Sequence, residues 1–117
     1  MIKNKSGVWG ELFTARYLRD NGFKIITSNY SCRFGEIDLI AMKDDILCFV
    51  EVKTRAQDTL NRPMEAVDED KQNKMRMTAD SFLSYSKLKN AVRFDVCEVW
   101  LDEESKPVKL NYITGAF

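Results

Sequence analysis

Two apolar runs joined by a pair of aspartates constrain the fold of this chain more than any other feature. The runs cover residues 34–42 and 46–54, and Asp44 and Asp45 lie between them. Short runs of apolar and β-branched residues bounded by turn residues are typical of strands, so the sequence predicts a β-hairpin here. A turn centred between the two aspartates pairs residue 43 with residue 46, and continued pairing places Asp38 opposite Glu51.

This register gives the hairpin a pair of acidic side chains on one face. Opposed side chains in antiparallel strands have Cβ atoms about 4.5–5.5 Å apart, and like charges there destabilise the sheet. A cation between Asp38 and Glu51 removes that repulsion, and Lys53 is predicted on the same face. Mg²⁺ takes one or two carboxylates and keeps other positions for water and phosphate. The pattern therefore predicts a Mg²⁺-dependent site that acts on phosphate.

Three further groups are candidates for the same site. The backbone carbonyl of Val52 could add a neutral oxygen ligand beside Glu51. Lys53 could contact the scissile phosphate or hold the attacking water. Glu11 is the candidate third carboxylate, because it lies on the polar edge of a mostly apolar predicted helix.

Ordinary salt bridges are the alternative explanation of these charges. In the predicted register Glu36 faces Lys53, and Glu51 could pair with Arg55 or Lys53. Charged strand residues usually form a solvated face. Buried charges, however, persist when they are paired or bound to metal, and several neighbours on this face are apolar: Ile40, Leu47 and Phe49.

Composition excludes several kinds of catalysis. The chain has no histidine, which removes Ser-His-Asp and Cys-His catalysis and histidine-ligated zinc. Its three cysteines show no CxxC spacing, so a disulfide framework or zinc knuckle is not expected. Cys48 and Cys97 lie in strand-like runs and are predicted to be buried.

Length and charge suggest a small cytoplasmic domain. The 117 residues, 44% of them hydrophobic, fit a single domain spanning residues 1–117. No apolar run reaches the roughly 20 residues of a membrane span, and the polar start of the chain lacks a signal-peptide core. Equal numbers of basic and acidic residues, 18 of each, do not suggest a generally basic nucleic-acid coat, although a local basic surface still fits a nuclease.

Periodicity predicts an α/β fold with the order α-β-β-β-α-β-β. The first helix should begin after an N-cap at Asn4 or Ser6 and end before Gly22. Asp68 should cap the second helix. The sheet should be five-stranded and mixed, with helices flanking it and with the strands on either side of the second helix parallel. The predicted ranges are 4–21 and 68–85 for the helices, 23–30, 34–42, 46–54, 91–101 and 108–113 for the strands, and 57–63 for a polar loop.

The hairpin also resembles a nuclease signature. GEIDLI, followed after the Asp44–Asp45 turn by FVEVKTR, is similar to the PD-(D/E)XK motif of restriction-endonuclease-like proteins. The resemblance implies that Asp38 and Glu51 bind Mg²⁺, or Mn²⁺ as a substitute, and that Lys53 acts with them in the cleavage of phosphodiesters. Glu11 matches a helix glutamate of the Holliday-junction-resolvase-like branches. Ile37 stands where that motif has proline, which removes no ligand.

Nearly the whole chain resembles one bacterial family, the YraN family. The matching segments are GVWGELFTARYL, NGFKI, NYSCRFGEIDLIA, FVEVKTR, EAVDEDKQNKM, RFDV and the terminal AF. The resemblance implies a restriction-endonuclease-like fold and DNA, branched or otherwise structured, as substrate, and it raises a homodimer as a candidate assembly. A module of the same fold that binds nucleic acid or protein without cleavage is the alternative.

Basic and amide side chains around the site are the candidate contacts to the DNA backbone. Such contacts position a duplex without reading its sequence. Lys71 and Gln72 resemble a lysine–glutamine pair of the family at the start of the second helix. The full set of candidates is Arg33, Arg55, Arg62, Lys71, Gln72, Lys74 and Arg76, and for each of the charged members a solvated surface role is the alternative.

Overall fold

The chain folds around one sheet, with a helix packed on each of its faces. The computed structural model describes residues 5–60 and 67–117, with side chains from residue 7. The helices are α1 (Lys5–Asp20) and α2 (Glu69–Ser86), and Gln57–Thr59 forms a short 3₁₀ turn. The strands are β1 (Lys24–Cys32), β2 (Gly35–Lys43), β3 (Ile46–Ala56), β4 (Ala91–Leu101) and β5 (Pro107–Ile113).

The five strands form a mixed sheet in sequential order, β1-β2-β3-β4-β5. β3 and β4 are parallel and connected through α2, whereas the other neighbours are antiparallel. This confirms the predicted α/β architecture, which is consistent with a restriction-endonuclease-like fold. The hairpin register is also confirmed, since Lys43 pairs with Ile46 and the pairing continues to Leu39 and Val50.

Alternating strand residues divide the core between the two faces. On the α1 face, Leu18 packs with a cluster that includes Leu39, Val50 and both predicted buried thiols, Cys48 and Cys97. On the α2 face, Phe82 packs with a second cluster: Ile37, Ile40, Leu47, Phe49 and Ala79. Neither described helix is long and apolar enough to cross a lipid bilayer.

The helix ends follow the capping signals in the sequence, with one exception. After α1, the Phe23 amide donates to the Leu18 carbonyl at 2.9 Å, and Gly22 adopts a φ of 85°. This Schellman arrangement favours glycine and confirms the predicted stop. The Asp68 side chain accepts from the backbone amide of Lys71 at 2.8 Å, which confirms the second N-cap.

One N-cap candidate is wrong, and parts of two predictions lie outside the described residues. Ser6 is inside α1 and therefore does not cap it, while Asn4 precedes the described residues. Within the predicted polar loop, residues 57–59 form a 3₁₀ turn, in which Leu60 donates its amide to the Gln57 carbonyl at 3.2 Å. The rest of the predicted loop, through residue 63, falls mostly in the undescribed segment.

α1 reaches the sheet through a glycine. A Cβ built on Gly10 would collide with the side-chain oxygen of Thr54 on β3. Helix and strand therefore approach more closely than any larger residue allows. This close contact fixes the next residue of α1, Glu11, beside the sheet.

Candidate active site

The β2–β3 ladder ends where the sequence places the paired acids. The last paired residues are Leu39 and Val50, one position before the predicted Asp38–Glu51 pair. There the Asp38 carboxylate accepts a hydrogen bond from the backbone amide of Val52 at 2.8 Å. A side-chain oxygen thus takes the place of a ladder carbonyl, and the buried Asp38 lies between the two strands.

The Val52 carbonyl faces the same gap. Within a strand, one residue directs its N–H and its C=O to the same neighbouring strand. Since the Val52 amide meets Asp38, its carbonyl also points toward the β2 side, beyond the last ladder pair. A carboxylate and a neutral carbonyl therefore adjoin one another at the end of the hairpin ladder.

Glu51 projects on the α2 face and meets a lysine of that helix. Lys71 Nζ lies 3.5 Å from Glu51 Oε1, and the carboxylate side chain is 16% exposed. The alternative partner considered for Glu51 from the sequence, Arg55, instead donates its Nε to Glu98 at 2.6 Å. Lys53, two residues after Glu51, shares the α2 face and is half-buried.

Glu11 reaches the same region from the other face of the sheet. It is buried and lines a groove between α1 and the first two strands, together with Glu36, Leu39 and polar residues of β1. The acids thus adjoin the end of the ladder from both sides: Glu11 on the α1 face, Glu51 on the α2 face, and Asp38 between the strands.

In a regular strand Glu36 would lie on the same face as Lys53, as the predicted register requires. In the structure it does not. Ile37 packs in the α2-side cluster together with Ile40, whereas Leu39 packs on the α1 side. The alternation of β2 is therefore interrupted at Asp38. This interruption places Glu36 in the groove beside Glu11.

The donor set fits a hard divalent ion with few protein ligands. Across residues 5–60 and 67–117, no three Asp, Glu, Cys or His side chains are grouped closely enough to hold one ion. A structural zinc site needs four such ligands. Mg²⁺ needs one or two carboxylates, with water and substrate phosphate completing its shell. Asp38, Glu51 and the Val52 carbonyl are the candidates for that smaller set.

Most of the basic and amide candidates that the structure describes already make contacts within the protein. Gln72 donates its side-chain amide to the Val67 carbonyl at 2.8 Å. Lys74 pairs with Asp70 across one helical turn at 3.2 Å. The Arg33 and Arg76 guanidinium groups lie over aromatic rings, and Arg62 is outside the described residues. Phosphate contact remains a prediction for all seven.

Sequence reasoning missed Glu98, a fully buried carboxylate on β4 beside Lys53. The available signal was a single charge within the apolar strand VCEVWL. On the same strand, Arg93 Nε donates to Asp95 Oδ1 at 2.8 Å, and these two residues form a separate structural pair.

Comparison with known proteins gives the family of the chain. The model of the family described as "Uncharacterised protein family UPF0102" matches residues 10–99. A UPF0102 protein of Caldanaerobacter subterraneus is 42% identical over 98% of this chain and 96% of its own length. One of Clostridium perfringens is 40% identical over 97% and 95%, and one of Moorella thermoacetica is 37% identical over 100% and 98%. The chain therefore belongs to the UPF0102 family, the family also called YraN.

Proposed function

We propose that this protein is a Mg²⁺-dependent endonuclease of the PD-(D/E)XK type that hydrolyses DNA phosphodiester bonds. The observation that carries the proposal is the Asp38 carboxylate bound to the Val52 amide at 2.8 Å, where the β2–β3 ladder ends. This hydrogen bond brings Asp38 of β2 directly to the Glu51–Val52–Lys53 segment of β3. Branched or structured DNA is the favoured substrate, by resemblance to the resolvases.

The residues divide the work of hydrolysis between binding and charge stabilisation. Asp38, Glu51 and the Val52 carbonyl would hold the ion, with Glu11 assisting from the α1 face. An Mg²⁺ ion held there would supply Lewis acidity to the substrate phosphate and would make water a stronger nucleophile. The half-buried Lys53 holds its positive charge beside the scissile phosphate, where negative charge increases in the transition state.

Lys71 adds a second role on the α2 face. Its ammonium group lies 3.5 Å from Glu51 and neutralises the charge of that carboxylate. An ion bound to Glu51 would neutralise the same charge and would release Lys71 for another contact. Because Lys71 is 42% exposed, it is available to an arriving phosphate group. Gln72 lies on the same first turn of α2 and is the neighbouring candidate for a backbone contact.

A binding module that cleaves nothing is the second candidate. The Lys71–Glu51 contact favours it, because this lysine satisfies the carboxylate without a metal. The absence of any three-carboxylate group within the described residues points the same way. Neutral net charge is compatible with a protein partner as well as with DNA.

Cleavage assays separate the two candidates. Linear, nicked and four-way DNA are incubated with Mg²⁺ or Mn²⁺, using the wild type, Glu51→Ala and Lys53→Ala. The matched control is Glu104→Ala, which removes an exposed carboxylate in the turn before β5. The nuclease proposal expects cleavage by the wild type and the control, and loss of cleavage by both site variants.

Metal binding measured by calorimetry completes the test. Glu51→Ala should lose Mn²⁺ binding, whereas Lys53→Ala should keep it and lose turnover. Absence of both cleavage and metal binding in the wild type would support the binding module. Normal cleavage by Lys53→Ala would show that the role assigned to this lysine is wrong.

A further inference from the structure

A row of charged side chains continues from the proposed site across β3 and β4. Glu98 of β4 is fully buried, and it accepts a hydrogen bond from Arg55 Nε of β3 at 2.6 Å. The parallel register places Lys53 beside Glu98 and Arg55 beside Trp100. Since Arg55 contacts Glu98, these residues share one face, the face that also presents Glu51 to Lys71.

This ion pair is poorly explained as a stabilising contact. Removing two charges from water costs several kcal/mol per ion, and well-packed apolar residues are often as stable or more so. Moreover, Glu98 Oε1 and Arg55 Nη2 are buried and make no hydrogen bond to the described residues. A carboxylate kept under these conditions in a central strand calls for a role other than stability.

The register shows which functional group Glu98 can influence. Neighbouring strands are about 4.8 Å apart, so the Lys53 and Glu98 side chains leave the sheet next to one another. Lys53 is also two residues from Glu51 on the same face. The Lys53 side chain is therefore flanked by one carboxylate on the β4 side and by a second one along its own strand.

We propose that Glu98 is a positioning residue for Lys53. The negative charge of its buried carboxylate, which Arg55 anchors, attracts the Lys53 ammonium group across the neighbouring strand and so favours its position at the end of the hairpin ladder, where the scissile phosphate would bind. The inference rests on the proposed nuclease function and extends it to a residue of β4. Glu98 acts through Lys53 and contacts neither the ion nor DNA.

The test compares two buried acids of the same strand. Glu98→Gln removes the charge and keeps the shape, and Asp95→Asn is the matched control. Asp95 is also fully buried on β4 and paired with an arginine, but it belongs to the opposite face, where Tyr112 donates to it at 2.6 Å. Glu98→Gln should lower kcat roughly 10- to 100-fold, the usual cost of losing an orienting partner. Its KM and Mg²⁺ affinity should stay close to those of the wild type, and Asp95→Asn should keep its kcat.

A double-mutant cycle tests whether the loss of kcat in Glu98→Gln depends on Lys53. In a Lys53→Gln background, which removes the positive charge, Glu98→Gln should change the residual kcat by no more than about twofold if Glu98 acts through this lysine. An undiminished loss in that background, or an equal loss in Asp95→Asn, would overturn the proposal in favour of a general structural effect.

A spectroscopic measurement tests the positioning independently of cleavage. In protein labelled with ¹³Cε-lysine, the Lys53 resonance is assigned from its absence in Lys53→Arg. It should shift in Glu98→Gln and stay in place in Asp95→Asn. An unmoved Lys53 resonance in Glu98→Gln would refute the inference, even if wild-type cleavage is strong. A shifted resonance in a protein that cleaves no DNA would uphold the influence of Glu98 on Lys53 and refute the nuclease function alone.

Discussion

At the scale of single residues, Asp38 has a structural role in addition to the chemical role proposed for it. One of its oxygens accepts the Val52 amide where the β2–β3 ladder stops. Without that acceptor, a largely buried N–H group would lose its hydrogen bond, which costs about 1–3 kcal/mol. The negative charge is a separate property, since a neutral amide oxygen can accept the same bond. The two roles can therefore be separated by substitution.

Asp38→Asn should keep the fold and lose the chemistry. Its free energy of unfolding should stay within about 0.5 kcal/mol of the wild type, because the side-chain carbonyl still accepts from Val52. Loss of the charge should reduce cleavage roughly 100-fold, or about 2.7 kcal/mol in the barrier. Asp38→Ala should show the same catalytic loss and in addition unfold at a lower urea concentration. Equal stability of the two variants would show that the Val52 contact contributes nothing to the fold.

Lys71→Met should strengthen metal binding while it weakens DNA binding. The variant removes the cation that lies 3.5 Å from Glu51, so the carboxylate becomes more available to Mg²⁺. If Lys71 also contacts a phosphate, the slope of log affinity against log salt concentration should fall by about one. Calorimetry with Mn²⁺ and DNA binding at several salt concentrations measure the two effects. Lys74→Met, whose lysine pairs with Asp70 instead, is the control for metal affinity.

At the scale of elements, the placement of α1 depends on Gly10. A methyl group there would meet the Thr54 side chain of β3, which is β-branched and cannot move away easily. Gly10→Ala should therefore lower the free energy of unfolding by about 1–3 kcal/mol, the usual cost of overpacking. Because α1 carries Glu11, the displaced helix should also weaken metal binding. Thermal unfolding and calorimetry measure both effects.

A second substitution distinguishes overpacking from loss of helix flexibility. Thr54→Ala removes the atom that the new methyl group would meet, so stability of the double variant Gly10→Ala/Thr54→Ala should recover toward that of Thr54→Ala alone. The changes in the free energy of unfolding caused by two substitutions usually add when the sites are far apart, but not when the two side chains are in contact. Strict additivity of the two losses would mean that the two side chains do not compete for space.

The helices, the strands and the hairpin register could be predicted from the sequence, but the direction of every side chain could not. The hairpin register could be predicted because Asp44 and Asp45 both tolerate positive φ, and in the structure their φ angles are 51° and 64°. The interruption of β2 at Asp38 could not be predicted, since it depends on a bond to another strand. The resulting shift of Glu36 was missed for the same reason.

Contacts between distant segments account for the remainder of the candidate site. Lys71 was singled out from the sequence, but its partner Glu51 lies on a strand that precedes α2, and no local pattern links the two. Glu98 was missed because its significance comes from the parallel register with Lys53. Local periodicity shows which residues share an element, whereas the order of strands in the sheet decides which elements meet.

At the scale of the whole molecule, the buried sheet controls how stability depends on pH. Burial raises the pKa of the Cys48 thiol to about 11, and the nearby Asp95 carboxylate adds to the increase. Burial also raises the pKa of Cys97 to about 11, although the Thr14 hydroxyl, which donates to its sulfur at 3.3 Å, lowers it. Burial and the hydrogen bond to Asp95 raise the pKa of Tyr112 as well.

These raised pKa values predict loss of stability in alkali. An unfolded thiol loses its proton near pH 8.5–9, whereas the folded thiols keep theirs to about pH 11. Stability should therefore be complete below about pH 8.5 and decrease as the pH rises toward 11, by roughly 2–3 kcal/mol for each thiol. Urea unfolding between pH 8 and 10.5 measures the slope. The double variant Cys48→Ala/Cys97→Ala should flatten it, while Cys32→Ala should not, because hydrogen bonds at Cys32 outweigh burial and lower its pKa. An unchanged slope in the double variant would assign the alkaline loss to other groups, with Tyr112 the first to examine.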